Sequence, residues 1–179
     1  MISGVSMDSL KAKIRSVPDF PKAGILFYDI TTLLRDKDGF QQTIQALAAP
    51  FEGKEIDVVV GVESRGFILG GAVADRLKCG FAPVRKKGKL PSKTVQETYD
   101  LEYGTDCLEI HSDAVEPGER VLVIDDVLAT GGTAAATTAL VRKLGGDVQA
   151  LAFLVELEFL NGRSKVSRET VFSVLKYSS

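Results

Sequence analysis

The stretch VLVIDDVLATGGT at residues 121–133 constrains this chain more than any other. Val121, Leu122, Val123 and Ile124 form an uninterrupted apolar run, the pattern of a strand buried on both faces of a parallel sheet. Two adjacent carboxylates, Asp125 and Asp126, stand where that strand is expected to leave the sheet. A turn of small residues, Ala129, Thr130, Gly131, Gly132 and Thr133, then leads into helix-spaced Ala136, Leu140, Val141 and Leu144. Strand, turn and helix in this order are the repeating unit of α/β domains.

The same rhythm recurs along the chain. Residues 57–61 read as another buried strand, followed by Ile68, Leu69, Ala72, Val73 and Leu77 at helical spacing. Further strands are expected at 81–84, 107–111 and 148–155, with an edge strand at 171–177. The fold class is therefore α/β, a mainly parallel sheet flanked by helices, with its ligand site at the carboxyl ends of the strands. Upstream, a short helix is expected over 9–16, ended by the Val17-Pro18 pair because the residue before proline avoids helical geometry. An irregular stretch at 19–24, a strand at 25–30 and a helix over 40–49 complete a small N-terminal hood. This divides the chain into a hood at 1–50 and a core at 51–179. The basic segment 85–104 is longer than an ordinary connection, as lids and disordered loops are.

Composition narrows the function. At 179 residues with 45% hydrophobic content, the chain suits one domain with a substantial core. Lys and Arg number 22 against 24 Asp and Glu, and a net charge of -2 provides no general field for a polyanion, so no nucleic-acid partner is expected. No stretch approaches the apolar length of a membrane span, and no membrane association or export is expected. Cys79 and Cys107 stand far apart with no neighbouring Cys or His, which fits a reduced, cytoplasmic setting and gives no metal-ligand spacing. His111, the sole histidine, is expected to have a structural place.

Three segments carry chemistry. Around Gly131 and Gly132 a phosphate can approach backbone N–H groups closely, and the positive end of the following helix favours its charge. Asp125 and Asp126 would repel a phosphate, but a carboxylate accepts hydrogen bonds well from a neutral diol, so the motif asks for a sugar phosphate. Glu63, Ser64, Arg65 and Gly66 form a second turn opening a helix, where Arg65 offers a planar fork of donors. Arg85, Lys86, Lys87 and Lys89 make the third segment, cationic and beside Gly88 and Pro91.

The 121–133 string resembles the phosphoribosyl pyrophosphate (PRPP) signature of the type I phosphoribosyltransferase family, and the resemblance extends over nearly the whole chain. It implies that Asp125 and Asp126 hold the ribose hydroxyls. Ala129, Thr130, Gly131, Gly132 and Thr133 would hold the 5-phosphate. Glu63, Ser64 and Arg65, with Arg85, Lys86 and Lys89, would serve pyrophosphate. The segment 85–104 resembles the mobile loop of adenine-using members, which often reaches the neighbouring subunit's site, so a homodimer is implied. Glu102 in that loop is the acid–base candidate, with Arg65 the second catalytic candidate. Phe27 and Tyr28 match the adenine-reading hood, Phe27 by stacking or as core. Tyr28 stands where arginine is common, at a position thought to act through its backbone. Leu157 is a possible apolar wall, although core packing suits it too.

The implied reaction moves 5-phosphoribosyl from PRPP to adenine, giving AMP and pyrophosphate. Magnesium is expected to arrive chelated by PRPP, without a protein ligand of its own. A sister enzyme using hypoxanthine, guanine or xanthine and a non-catalytic PRPP-sensing regulator are the rival readings.

Overall fold

The computed structural model describes residues 7–100 and 104–178. The elements in chain order are α1 (Met7–Lys11), β1 (Arg15–Pro18), β2 (Leu26–Asp29), α2 (Thr31–Arg35), α3 (Lys37–Ala48), β3 (Val58–Val62), α4 (Arg65–Leu77), β4 (Gly80–Lys86), β5 (Thr94–Asp100), β6 (Thr105–His111), β7 (Arg120–Leu128), α5 (Gly132–Lys143), β8 (Asp147–Leu157) and β9 (Val171–Tyr177). Single 3-10 turns at Glu158–Leu160 and Gly162–Val166 join β8 to β9.

Seven strands form one sheet in the order β5-β6-β4-β3-β7-β8-β9, and β1 pairs with β2 separately. The β4, β3, β7, β8 and β9 neighbours are parallel, while β5 and β6 add an antiparallel hairpin beside β4. The expected mainly parallel sheet is thus present. From β3 the chain moves outward to β4, then later returns to the other side of β3 as β7. This reversal opens a crevice at the carboxyl ends of β3 and β7, the usual ligand position in open α/β sheets.

Alternation along the buried strands divides the core. Leu122 and Ile124 face one side, with Leu69 and Val73 of α4, Leu47 of α3 and the hood residues Leu10, Ile30 and Leu33. Val121 and Val123 face the other, with Leu140 and Val141 of α5 and Ile110 of β6. Each such Leu, Ile or Val contributes about 1.5–3 kcal/mol by leaving water. The hood helices therefore share one apolar core with the sheet.

Three local expectations are corrected. The helix expected over 9–16 ends at Lys11, and residues 15–18 are strand β1. Pairing with β2 overrides helical propensity there: Arg15 lies opposite Asp29 in register and donates to its carboxylate at 2.6 Å. Thr31–Arg35 forms a short helix the sequence reading passed over. Within 85–104, residues 94–100 form β5, paired along its length with β6.

Candidate active site

The crevice is a cavity of about 560 Å³. It gathers Glu63, Ser64 and Arg65 after β3, Lys86 at the end of β4, Asp125 and Asp126 of β7, Thr133 of α5 and Phe27 of β2. A groove of about 610 Å³ lies between α5 and residues 165–169. Its Arg142 and Lys143 are paired with Glu169 at 2.7 Å and Glu97 at 2.5 Å. The crevice, where acids, cations and an aromatic ring converge from several strands, is the stronger site.

The two acids are buried inside β7, which continues to Leu128 rather than ending at them. Asp125 accepts a 2.8 Å hydrogen bond from the Asp126 amide. Burial, and next the charge of Asp126, push the Asp125 carboxyl well above the ordinary carboxylate range. Gly66 at the start of α4 leaves the room this arrangement needs. A Cβ there would sit 2.9 Å from Asp125 Oδ1 and 3.1 Å from the Ile124 carbonyl oxygen.

Arg65 Nε lies 2.5 Å from Asp126 Oδ2, and its guanidinium sits 5.2 Å from the Phe27 ring centroid. Despite that ionic contact, Asp126 Oδ2 is buried and accepts no aligned hydrogen bond. The chain enters Ser64 through a cis peptide bond from Glu63. Glu63 accepts from Arg85 Nε at 2.9 Å, Lys89 Nζ at 2.6 Å and the Lys86 amide at 3.1 Å. Burial raises its carboxyl, but those three donors outweigh burial and hold it below its ordinary value. Lys86 reaches Asp106 at 3.0 Å, a pairing that raises the ammonium.

Next to the acids, residues 127–134 wrap a small pocket of about 60 Å³ that includes Ala129, Thr130, Gly131, Gly132 and Thr133. Gly131 caps α5 at φ 80° and offers no side-chain cap, so the first-turn amides remain for an anion. Its open Cα position faces the Gly162 carbonyl, and Gly162 in turn faces the Ala129 carbonyl, with no room for a Cβ at either residue. Gly162 is fixed from behind: Arg163 donates to both oxygens of buried Glu156, at 2.5 and 2.8 Å.

The structure brings together Phe27, Glu63, Ser64, Arg65, Lys86, Asp125, Asp126 and Thr133, with Arg85 and Lys89 one contact away through Glu63. Tyr28 and Leu157 lie elsewhere. They line an adjacent cavity of about 410 Å³ with Leu26, Thr130 and Phe159, and the buried Tyr28 ring stacks on Tyr177 at 4.0 Å. Glu102 lies outside the described residues. Sequence reasoning missed Tyr99, whose hydroxyl is 3.4 Å from Thr133 Oγ1, and Asp106, the partner of Lys86. Alternation of Val95 and Tyr99 on β5 was the available signal. Among the described residues no group of three or more His, Cys, Asp or Glu side chains could hold a metal ion, and no helix is long and apolar enough to cross a membrane.

A family model described as phosphoribosyl transferase domain matches residues 31–176, and the chain belongs to that family. Its relatives place it among the adenine-using members. An adenine phosphoribosyltransferase of Acidobacterium capsulatum is 60% identical over 174 residues, covering 97% of this chain and 96% of the relative. The crystal structure of adenine phosphoribosyltransferase from Thermoanaerobacter pseudethanolicus superposes with a TM-score of 0.94 at 49% identity, covering 96% of this chain and 100% of that one. The Saccharomyces cerevisiae enzyme, solved with an imino-altritol bisphosphate and adenine, gives 0.90 at 43% identity, covering 94% and 98%.

Proposed function

We infer that this chain transfers the 5-phosphoribosyl group of PRPP to adenine, forming AMP and pyrophosphate in purine salvage. The observation that carries it is the juxtaposition of two buried acids, Asp125 and Asp126, with the uncapped amides of α5 and the guanidinium of Arg65. A sugar phosphate needs the first two, and a leaving pyrophosphate the third.

The acids accept from the ribose 2′ and 3′ hydroxyls, while Ala129, Thr130, Gly131, Gly132 and Thr133 take the 5-phosphate. The bond from C1 to pyrophosphate breaks with its electron pair leaving on oxygen. A ring nitrogen of adenine bonds to C1 and sheds its proton. Arg65, Arg85, Lys86 and Lys89 offset the leaving charge, and Glu63 acts through the cations it holds. Magnesium chelated by PRPP supplies further charge neutralisation, as is general for such leaving groups. Phe27 stacks on the base beside Arg65, the Leu26 and Tyr28 backbone reads its edge, and Leu157 closes the neighbouring wall. Glu102, by resemblance, takes or shares the purine proton when residues 85–104 close and exclude water.

Residues 1–50 serve as the hood over the core at 51–179, and the protein works in the cytoplasm. A homodimer fits the exposed apolar residues Ile68 and Phe81, 49% and 39% accessible, and since Arg85 and Lys89 meet Glu63 of their own chain, the contribution of 85–104 to the neighbouring site falls to the residues beyond them.

The test is to mix protein, magnesium and PRPP with each purine base and to measure nucleotide and pyrophosphate. AMP alone is expected. IMP or GMP would move the activity to a sister enzyme, and tight PRPP binding without product would leave a sensor.

A further inference from the structure

Glu109, in the middle of β6, is 2% exposed and has no part in the chemistry above. Burying a carboxylate is expensive unless hydrogen bonds or a counter-ion compensate. Glu109 makes no ion pair among the described residues. Its Oε1 accepts from the amides of Lys89 and Leu90, both at 3.0 Å, and its Oε2 lies 3.4 Å from Thr94 Oγ1 and from Gln96 Nε2. One oxygen is thus spent on the turn between β4 and β5, and the other faces the start of β5.

That turn carries Lys89 and lies against Arg85 near the end of β4. Arg85 is the register partner of Glu109 across the β4–β6 pair. Arg85 Nη1 donates to the Lys89 carbonyl at 3.2 Å, and the Lys89 ammonium converges with Arg85 on Glu63. Fixing the Lys89 and Leu90 amides therefore helps fix where both cations meet Glu63 at the edge of the crevice. Left to itself, this turn would spread Lys89, and the carbonyl that Arg85 donates to, over many conformations, and ordering them would cost binding energy.

We propose that Glu109 is a positioning residue for pyrophosphate: its buried carboxylate preorganises the turn that presents Arg85 and Lys89 to the leaving group. The proposal rests on the phosphoribosyl-transfer reading and assigns Glu109 no contact with substrate. Burial would raise this carboxyl, but the Leu90, Gly88 and Lys89 amides together hold it below its ordinary value, in keeping with an ionised acceptor.

The experiment compares Glu109→Ala and Glu109→Gln with the unaltered protein in three readouts: binding of inorganic pyrophosphate with magnesium, KM for each substrate, and thermal midpoint. Both turn amides use one oxygen of Glu109, so Glu109→Gln keeps that acceptor and is expected to bind pyrophosphate within about threefold of the unaltered protein. Glu109→Ala is expected to lose on the order of tenfold in pyrophosphate affinity, while KM for adenine stays within about twofold. Should Glu109→Ala not fold, Leu90→Pro removes one donor and leaves the carboxylate in place, and it is expected to weaken pyrophosphate by about threefold. Unchanged pyrophosphate affinity in Glu109→Ala, or in Leu90→Pro where Glu109→Ala does not fold, would overturn the proposal. So would equal losses for both substrates in step with stability, or a Gln variant as poor as Ala. Failure of the unaltered protein to bind pyrophosphate strikes the phosphoribosyl reading itself and takes this proposal with it.

Discussion

Arg65 and Asp126 are in ionic contact at 2.5 Å across the mouth of the crevice, one at the start of α4 and the other inside β7. A ligand with a diol at one end and a pyrophosphate at the other satisfies both partners at once, the hydroxyls on the acid and the anion on the guanidinium. Arg65→Lys keeps the charge but replaces a planar fork with a point donor. Its kcat/KM for PRPP is expected to fall by about a hundredfold, as measured by steady-state kinetics at saturating adenine.

Asp125→Asn should stabilise the protein while abolishing function. The folded state raises the Asp125 carboxyl well above its unfolded value, through burial first and Asp126 second. Between those two values the folded state binds more protons than the unfolded state, so stability falls as pH rises through that window. As pH rises above the unfolded value the cost of keeping this acid buried grows, and the amide removes it. A higher thermal midpoint at pH 7, an advantage that shrinks toward pH 4, and loss of PRPP binding are the expected results.

Gly131→Ala is expected to cost about 1–3 kcal/mol, because φ is positive and a methyl would strike the Gly162 carbonyl. KM for PRPP should rise more than KM for adenine, since the displaced backbone is the one proposed to take the 5-phosphate. Chemical denaturation and substrate titration of one purified variant check both.

Glu102→Gln is expected to slow turnover by about 100-fold while PRPP binding changes by less than about threefold. Single-turnover kinetics set against PRPP affinity separate the two, and unchanged turnover would remove Glu102 from the chemistry.

Acid should loosen the hood. The Thr31 amide, the Thr31 hydroxyl and Arg15 hold the Asp29 carboxyl down at about 2. A depressed folded value gives stability that is complete above the unfolded value and is lost as pH falls toward 2. Asp29→Asn should therefore lower the thermal midpoint at pH 7 and differ little from the unaltered protein near pH 2. A midpoint difference that stays constant with pH would contradict this.

Much of the architecture was legible because buried parallel strands leave an unbroken β-branched trace. Residues 58–60 and 121–124 declare themselves without any neighbour. Arg65 was legible from its place just beyond a strand, and Asp125 and Asp126 from the apolar run before them, although β7 runs on past both acids to Leu128. β1 and β5 were not legible, because their strand character comes from a partner: Asp29 across from Arg15, and β6 alongside the whole of β5. Glu109 escaped for the same reason. A lone acid between Leu108 and Ile110 reads as the solvent-facing residue of an alternating strand, and only the turn folded against it makes burial tolerable.

The mutual contact of Gly131 and Gly162 has a consequence for redesign. The turn before α5 proposed to take the phosphate is braced by chain arriving some thirty residues later, itself tied down through Arg163 and Glu156. Transplanting 125–133 onto another scaffold would carry the uncapped amides but leave behind the buttress that holds their curvature. A graft meant to work must import both stretches, and the floor joining them, as one piece.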